Sequence, residues 1–283
     1  MKKTLLRVSL VFVVASLLVG GTALAQQAQS EPDRYVVVTY LKTLPGQEEA
    51  YRGYLTTTGK KIYQELLNAN SNFLYWSVAK AMYQGEGGGS YDYVGAAVFS
   101  GPPPDPNTNN DAVFQKVVGT TQAEFGKKLA TMRTVVGNEI LMNRAIATVP
   151  GTLKEGDYRV VAQVSVKPGM GDEYYDAMKT TAQPAWQSRI ADGDVKGWSV
   201  WQRVFPAGAA ASYDALSVTY FKDLASAIKG PNARKGAETF MKVNPGKNYA
   251  TWVSNLRDYS ELQQRTIMQV IALVERSAPT ASK

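Results

Sequence analysis

Two tyrosine–aspartate pairs carry the most chemistry in this chain: Tyr91-Asp92 and, 122 residues later, Tyr213-Asp214. The chain has neither histidine nor cysteine, so a proton near neutrality must be moved by Asp, Glu, Lys or Tyr. A phenol with a pKa of about 10 costs roughly 4 kcal/mol to ionise at pH 7, and a carboxylate is a weak base unless burial raises its pKa. Each aspartate is thus a candidate to orient a ligand or accept a proton. The plainer reading, favoured by the Gly-rich or Ala-rich turns ahead of them, is a turn-capping aspartate beside a core tyrosine.

Trp76 and Trp198 open matching Trp-Ser-Val stretches. A buried indole N–H needs an acceptor, so each is a candidate to line a pocket and bond a ligand, with core packing as the simpler account. Tyr35 and Tyr158 also match, and their strand faces, which carry Val37 and Val160, are assigned toward the helices. With Tyr91 and Tyr213 these residues would build an aromatic wall twice per chain, suited to a small apolar or aromatic molecule, although side chains alone can fill such a wall. Arg159 and Arg203 break the match, because the first half has Val36 and Ala81 in their places. A strand arginine buried in a barrel needs a partner, which a bound anion or carboxylate would supply, as would Glu173 or Asp172.

Absent cysteine excludes disulfides, thiolate nucleophiles and Cys-ligated metal centres. Absent histidine excludes Ser-His-Asp catalysis, histidine-ligated haem and the common zinc hydrolase sites. EF-hand, P-loop and Rossmann glycine patterns are missing too, so neither a metal site nor a cofactor is expected. The run GEGGGS from Gly85 to Ser90 reads as a hairpin tip, and residues 101–110, with three consecutive prolines, as a stiff surface loop.

Residues 1–25 place Lys2, Lys3 and Arg7 around the start of an apolar run from Val8 to Val19 and end in Ala23, Leu24 and Ala25. That is the pattern of a secretory leader cleaved after Ala25. A membrane span needs about 20 apolar residues, so the expectation is a periplasmic or secreted protein with no membrane partner once the leader is gone. The 31 Lys and Arg outnumber 24 Asp and Glu by 7, and losing Lys2, Lys3 and Arg7 leaves +4. The remaining basic residues form no run longer than pairs such as Lys60-Lys61 and Lys127-Lys128, so nucleic acid is not an expected partner. At 45% hydrophobic and 19% charged residues, the composition is that of a soluble globular protein.

The matches extend to a repeat. Pro45, Gly46 and Tyr51 correspond to Pro168, Gly169 and Tyr174 at a shift of 123, and Trp76-Ser77-Val78 and Phe99 to Trp198-Ser199-Val200 and Phe221 at 122. Ordered landmarks that drift by one residue point to an ancestral duplication, with residues 26–150 and 151–276 as the two units and 277–283 as a disordered tail. Strands are predicted at Tyr35–Leu41 and Tyr158–Val166. Pro-Gly turns follow, then helices whose apolar residues recur every three or four positions, Tyr51, Leu55 and Ile62 in one and Tyr174, Met178 and Ala185 in the other. Pro184 predicts a kink or break in the second of these.

Hairpins come next, Trp76–Tyr83 with Tyr91–Phe99 and Trp198–Phe205 with Tyr213–Phe221. One helix is then predicted through Phe114, Phe125 and Met132 in the first half, and two or three shorter ones in the second, where Pro231 and Pro245 intervene. Final strands are predicted near Ile140–Val149 and Ile267–Val274. Both faces of the hairpin strands are apolar, with Trp198, Val200 and Val204 on one and Trp201 and Phe205 on the other, as in a sheet buried on both sides. The order β-α-β-β-α-β in each unit is the ferredoxin-like plan of the α+β class. Helices cover one face of its antiparallel sheet, and the other face needs a partner, which the second unit supplies in a single intramolecular barrel. The chain is therefore expected to be a monomer with internal pseudo-dimer symmetry, open to further oligomerisation.

By this element order, the Pro-Gly turn and the Trp-Ser-Val strand, residues 33–274 resemble the dimeric α+β barrel superfamily. That superfamily includes antibiotic biosynthesis monooxygenase-like, EthD-like and stress-responsive barrel proteins. The resemblance implies two sheets closed face to face, helices outside, and a pocket between sheet and helices in each unit. Two chains usually build that barrel, whereas one suffices here. The sequence favours an exported protein that binds a small apolar or aromatic molecule in helix–sheet pockets without chemistry of its own. The alternative is a cofactor-free enzyme resembling the monooxygenase-like members, weakened by the missing histidine; a third reading is a structural or interaction protein with filled pockets. A solid helix–sheet layer with Trp76 and Trp198 touching only protein would favour the third. An open cavity reached by a buried Asp or Tyr would favour catalysis.

Overall fold

β-Branched and aromatic residues fill β1 (Tyr35–Thr43), and period-two alternation turns Val36 and Val38 to one side of it and Val37 to the other. The structure, a computed structural model, describes residues 33–84, 90–147, 152–208, 211–230 and 233–276. The expected leader and tail, and most of the Gly85–Ser90 tip, lie outside those residues. At the Pro45-Gly46 turn Gly46 takes a left-handed φ of 75°, which glycine adopts without a Cβ clash. The chain then enters α1 (Glu48–Tyr54), a π-helical turn at Leu55–Gly59, and α2 (Lys60–Ala69). Tyr51, Leu55 and Ile62 bury one face of this helical run.

β2 (Phe73–Tyr83) and β3 (Tyr93–Phe99) follow, then α3 (Asp111–Val118), α4 (Gln122–Ala130) and β4 (Arg133–Ile146). The single helix expected through Phe114 and Met132 is two helices. Gly119 ends the first with a left-handed φ of 70°, and Thr121 starts the second through a reciprocal capping box with Glu124.

The second half runs β5 (Tyr158–Val166), α5 (Gly171–Asp176), a π-helical turn at Ala177–Ala182, α6 (Gln183–Ala191), β6 (Gly197–Phe205) and β7 (Ala215–Phe221). It ends with α7 (Leu224–Lys229), α8 (Ala233–Val243), α9 (Tyr249–Tyr259) and β8 (Ser260–Glu275). Pro184 stands in the first turn of α6, where a missing N–H is tolerated. The π-helical turn before it recurs in the first half without a proline, so the expected break is a shared π turn and not a proline kink.

The eight strands of the described residues pair antiparallel in a closed barrel of order β1-β3-β2-β8-β5-β7-β6-β4. β2 against β8 and β4 against β6 close the ring, which removes the unpaired edges an open sheet would carry. Registers agree between the halves: Tyr35 faces Phe99 and Leu41 faces Tyr93, as Tyr158 faces Phe221 and Val164 faces Ala215. β4 and β8 begin well before Ile140 and Ile267 because pairing with β1 and β5 holds polar residues such as Thr134 and Gln264 in the ladder.

Two apolar layers result. Val37, Trp76 and Val78 pack on the helices of the first half, and Trp198 and Val200 on those of the second. Val36, Val38, Trp201, Val218 and Met268 fill the barrel itself. Trp198 and Trp201 thus take opposite faces as alternation requires. Val204 and Phe205 instead are 43% and 62% exposed, because pairing of β6 with β7 stops at Gln202.

Candidate functional site

Alternation along β1 and β5 turns Val36, Val38 and Tyr40 inward from one half, and Arg159, Val161 and Gln163 from the other. With Tyr75 of β2, Tyr91, Trp201 of β6 and Thr266 of β8 they surround a cavity of about 50 Å³ inside the barrel. At roughly 10–15 Å³ per molecule, it holds about three to five waters' worth of space.

Arg159 is the cation of this cavity. It is 5% exposed, its Nη2 donates across the lumen to the Val94 carbonyl at 3.2 Å, and its Nε–H has no partner. Among the described residues it makes no ion pair. Desolvation raises the nearby phenols of Tyr75 and Tyr91 above their ordinary value, against the pull of the Arg159 charge, so both are neutral donors at physiological pH.

A second cluster adjoins the cavity. Arg203 of β6 pairs with Glu139 of β4 at 3.4 Å, donates to the Tyr213 carbonyl, and sits 4.2 Å from the centre of the Tyr213 ring. Glu139 also accepts the Tyr40 hydroxyl at 2.9 Å and the Tyr213 hydroxyl, and these two hydroxyls lie 3.2 Å apart. Burial, reinforced by the Glu139 charge, pushes both phenols far up. Tyr40 joins the two clusters, because its ring also lines the cavity and tilts against Tyr91 with centroids 5.0 Å apart.

Of the residues singled out in the sequence, Tyr91, Arg159, Arg203 and Tyr213 point into the barrel. For the two tyrosines this corrects the expected helix-facing wall. Tyr93 and Ala215, where the strands begin, face the helices, and unbroken alternation would send Tyr91 and Tyr213 the same way. They precede the strands, however, and turn the opposite way. Asp92 and Asp214 spend their carboxylates on the ends of β1 and β5: Asp92 accepts the Thr43 N–H at 2.8 Å, its hydroxyl at 2.5 Å and Lys42 at 3.0 Å, and Asp214 accepts the Val166 N–H at 2.8 Å. Burial alone would lift the Asp92 carboxyl, but Thr43 and Lys42 together hold it below its ordinary value.

Trp76 and Trp198 face the helices. Trp76 stacks on Tyr63 at 4.1 Å, Trp198 stacks on Trp186 at 5.5 Å, and the Trp198 indole donates to Ser217 at 3.2 Å. These stacks fill the helix–sheet layer at those two positions, and a wide surface groove of about 640 Å³ lies elsewhere on the helix side, between α2, α3 and β8. Tyr158 lies in the same layer and accepts from Gln269 at 3.1 Å, and Tyr35 is half-buried at the start of β1. The aromatic wall is therefore split between the two sides of the sheet. Among the described residues neither Glu173 nor Asp172 partners a strand arginine; Glu139 takes Arg203, and Arg159 has no acid partner. Sequence reasoning misses Tyr40, Tyr75 and Glu139. The signal for Glu139 is a lone charge in the run from Val135 to Met142, which is apolar apart from Gly137 and Asn138.

No family model matches the chain, and no curated protein does. Solved structures do match. A protein named "putative monooxygenase" from Fusobacterium nucleatum subsp. nucleatum superposes with a TM-score of 0.52 at 10% identity, over 87% of this chain and 96% of that one. The fold is that of the dimeric α+β barrel proteins. A like-named protein from Lactobacillus acidophilus gives 0.48 at 10% identity over 87% and 97% of the two chains, and an anthrone oxidase-like protein gives 0.48 at 11% over 90% and 98%. At these identities the likeness reaches the fold and stops there.

Proposed function

We propose that this barrel is an exported, monooxygenase-like protein that takes a small organic molecule into its lumen and needs no cofactor of its own. One observation carries the reading: the Tyr40 hydroxyl borders the cavity and is bonded to the buried Glu139 carboxylate. A bound acidic O–H or C–H can pass its proton to the Tyr40 oxygen while the Tyr40 proton moves to Glu139, a relay that replaces the missing histidine. The substrate anion formed in this way is itself the electron donor to dioxygen. The monooxygenase names of the structural neighbours agree with this chemistry and favour it over binding alone.

Passive binding is the second reading. Beside the Arg159 cation, the remaining polar groups of the cavity, Tyr75, Tyr91, Gln163, Tyr220 and Thr266, can orient a ligand without reacting. Taken alone, Trp76 and Trp198, each stacked on a ring of the protein itself, favour filled pockets at those two positions. The lumen cavity, which the sequence does not foresee, is what supports a ligand site. The same proposal includes the ancestral duplication, supported by matched strand registers and matched π turns, and export, supported by the leader pattern of residues 1–25.

The test is oxygen uptake by the purified protein with a panel of small enolisable acids, beside native mass spectrometry of protein from its own host. Uptake that Glu139→Gln abolishes supports the enzyme. A retained ligand without uptake supports passive binding, and an empty, unreactive barrel ends both. N-terminal sequencing should find the mature chain starting at Gln26.

A further inference from the structure

We infer that Arg159 is the receptor for the carboxylate of a short-chain organic acid bound inside the barrel, an assignment that rests on the lumen being the ligand site. The two barrel arginines differ in one decisive respect. Arg203 has its acid, Glu139, at 3.4 Å. Arg159 is buried, forms no ion pair among the described residues, and keeps an unsatisfied Nε–H while Nη2 spends a hydrogen on Val94. A buried guanidinium without a counter-charge carries a desolvation penalty that an anion would relieve. In the first half the same place is held by Val36, which lines the same cavity, so the charge belongs to one half only.

The surroundings select the anion. The other ionisable groups that line the cavity with Arg159 are phenols, those of Tyr40, Tyr75, Tyr91 and Tyr220, and no carboxylate is among them, so one positive charge awaits one negative charge and a dianion would be left half-compensated. The Nε–H and an Nη2 hydrogen form the two-pronged edge that matches a planar carboxylate. Gln163 and Thr266 border the same space, and Val38, Ala96, Val218 and Met268 give it an apolar side for an alkyl tail. A volume of about 50 Å³ suits a chain of two to four carbons and excludes a long one.

The test is calorimetric titration and thermal shift of the full mature protein with acetate, propionate and butyrate, set against propionamide, inorganic phosphate and chloride. Propionate should bind saturably and raise Tm, propionamide, its neutral isostere, should bind about tenfold more weakly or worse, and phosphate should do no more than chloride. Arg159→Met should abolish the difference between acid and amide, and Arg159→Lys should restore part of it. Equal binding of propionate and propionamide to the unaltered protein would overturn the assignment to Arg159 while leaving the lumen as the ligand site, and that comparison needs no variant to fold. If no acid or amide enters the barrel at all, the lumen reading falls and the assignment falls with it.

Discussion

Tyr213, at the entrance to β7, donates its phenolic hydrogen to Glu139 of β4 across the seam between the two halves. The register places Glu139 opposite Val38 and Thr266 opposite Val161, so Thr266 is its counterpart in the other half, and Tyr91 meets Thr266 there as Tyr213 meets Glu139. Ala81 stands where the charged set has Arg203. One geometry is therefore built twice, once with an ion pair and once without.

Glu139→Gln removes the acid that Arg203, Tyr40 and Tyr213 share and strands a guanidinium whose side chain is 5% exposed. Breaking a buried pair from one side costs about 3–5 kcal/mol, and the retained amide oxygen places this variant near the lower end. Glu139→Thr with Arg203→Ala copies the neutral set of the other half and should recover most of the loss. Urea unfolding of the single and double variants reads the coupling directly; equal losses in both would show that the pair is not what holds this seam.

The pH profile of stability should be flat through neutrality, where histidine would otherwise titrate, and should fall at both ends. Burial pushes Tyr51 and Tyr93 up to about 12 each, with Arg133 easing Tyr51 down and Glu48 lifting Tyr93 further. A raised folded-state pKa gives stability that is complete below the unfolded value near 10 and is lost as pH climbs through 12. Asp92 runs the other way, its lowered pKa giving stability that is present above 3.8 and lost as pH drops below it. Urea midpoints followed from pH 3 to 12 alongside tyrosinate absorbance should show both limbs, and Asp92→Asn should flatten the acid one.

The architecture was readable because strand signals are local. β5 spans the predicted Tyr158–Val166 without change, and the matched landmarks placed every hairpin. The helix through Phe114 and Met132 was misread because periodicity survives the break at Gly119, and only the capping pair Thr121 and Glu124 marks it. The site was harder, since its members meet through barrel closure. Nothing near Glu139 announces that β4 will lie against β6, or that Tyr213 will turn inward when Ala215 two residues on faces the helices. Arg159 and Arg203 were detectable because each replaces a small apolar residue in the matching half. Which of them keeps an acid depends on contacts 64 residues apart or more.

Trp76 and Trp198 should behave as packing residues. Truncating a buried tryptophan costs about 3–5 kcal/mol, so Trp76→Ala and Trp198→Ala should each lower urea stability by that order while leaving lumen binding unchanged in the folded fraction. Trp201→Phe, on the inner face, should cost less and shift which ligand sizes bind. A binding change in Trp198→Ala without one in Trp201→Phe would return the site to the helix–sheet layer.

Tyr40→Phe isolates the proton route from the packing. The ring keeps its place against Tyr91, and Glu139 keeps Tyr213 and Arg203, so the stability loss should stay near the 1 kcal/mol typical of one hydrogen bond. If Tyr40 carries the substrate proton to Glu139, the turnover rate should drop by about 10²-fold or more, the usual worth of a positioned acid–base group, with KM little changed. Oxygen uptake measured against substrate concentration separates the two constants. A variant with full turnover would mean that the bound molecule loses its proton to water, and that the hydroxyl of Tyr40 serves only to hold Glu139 in place.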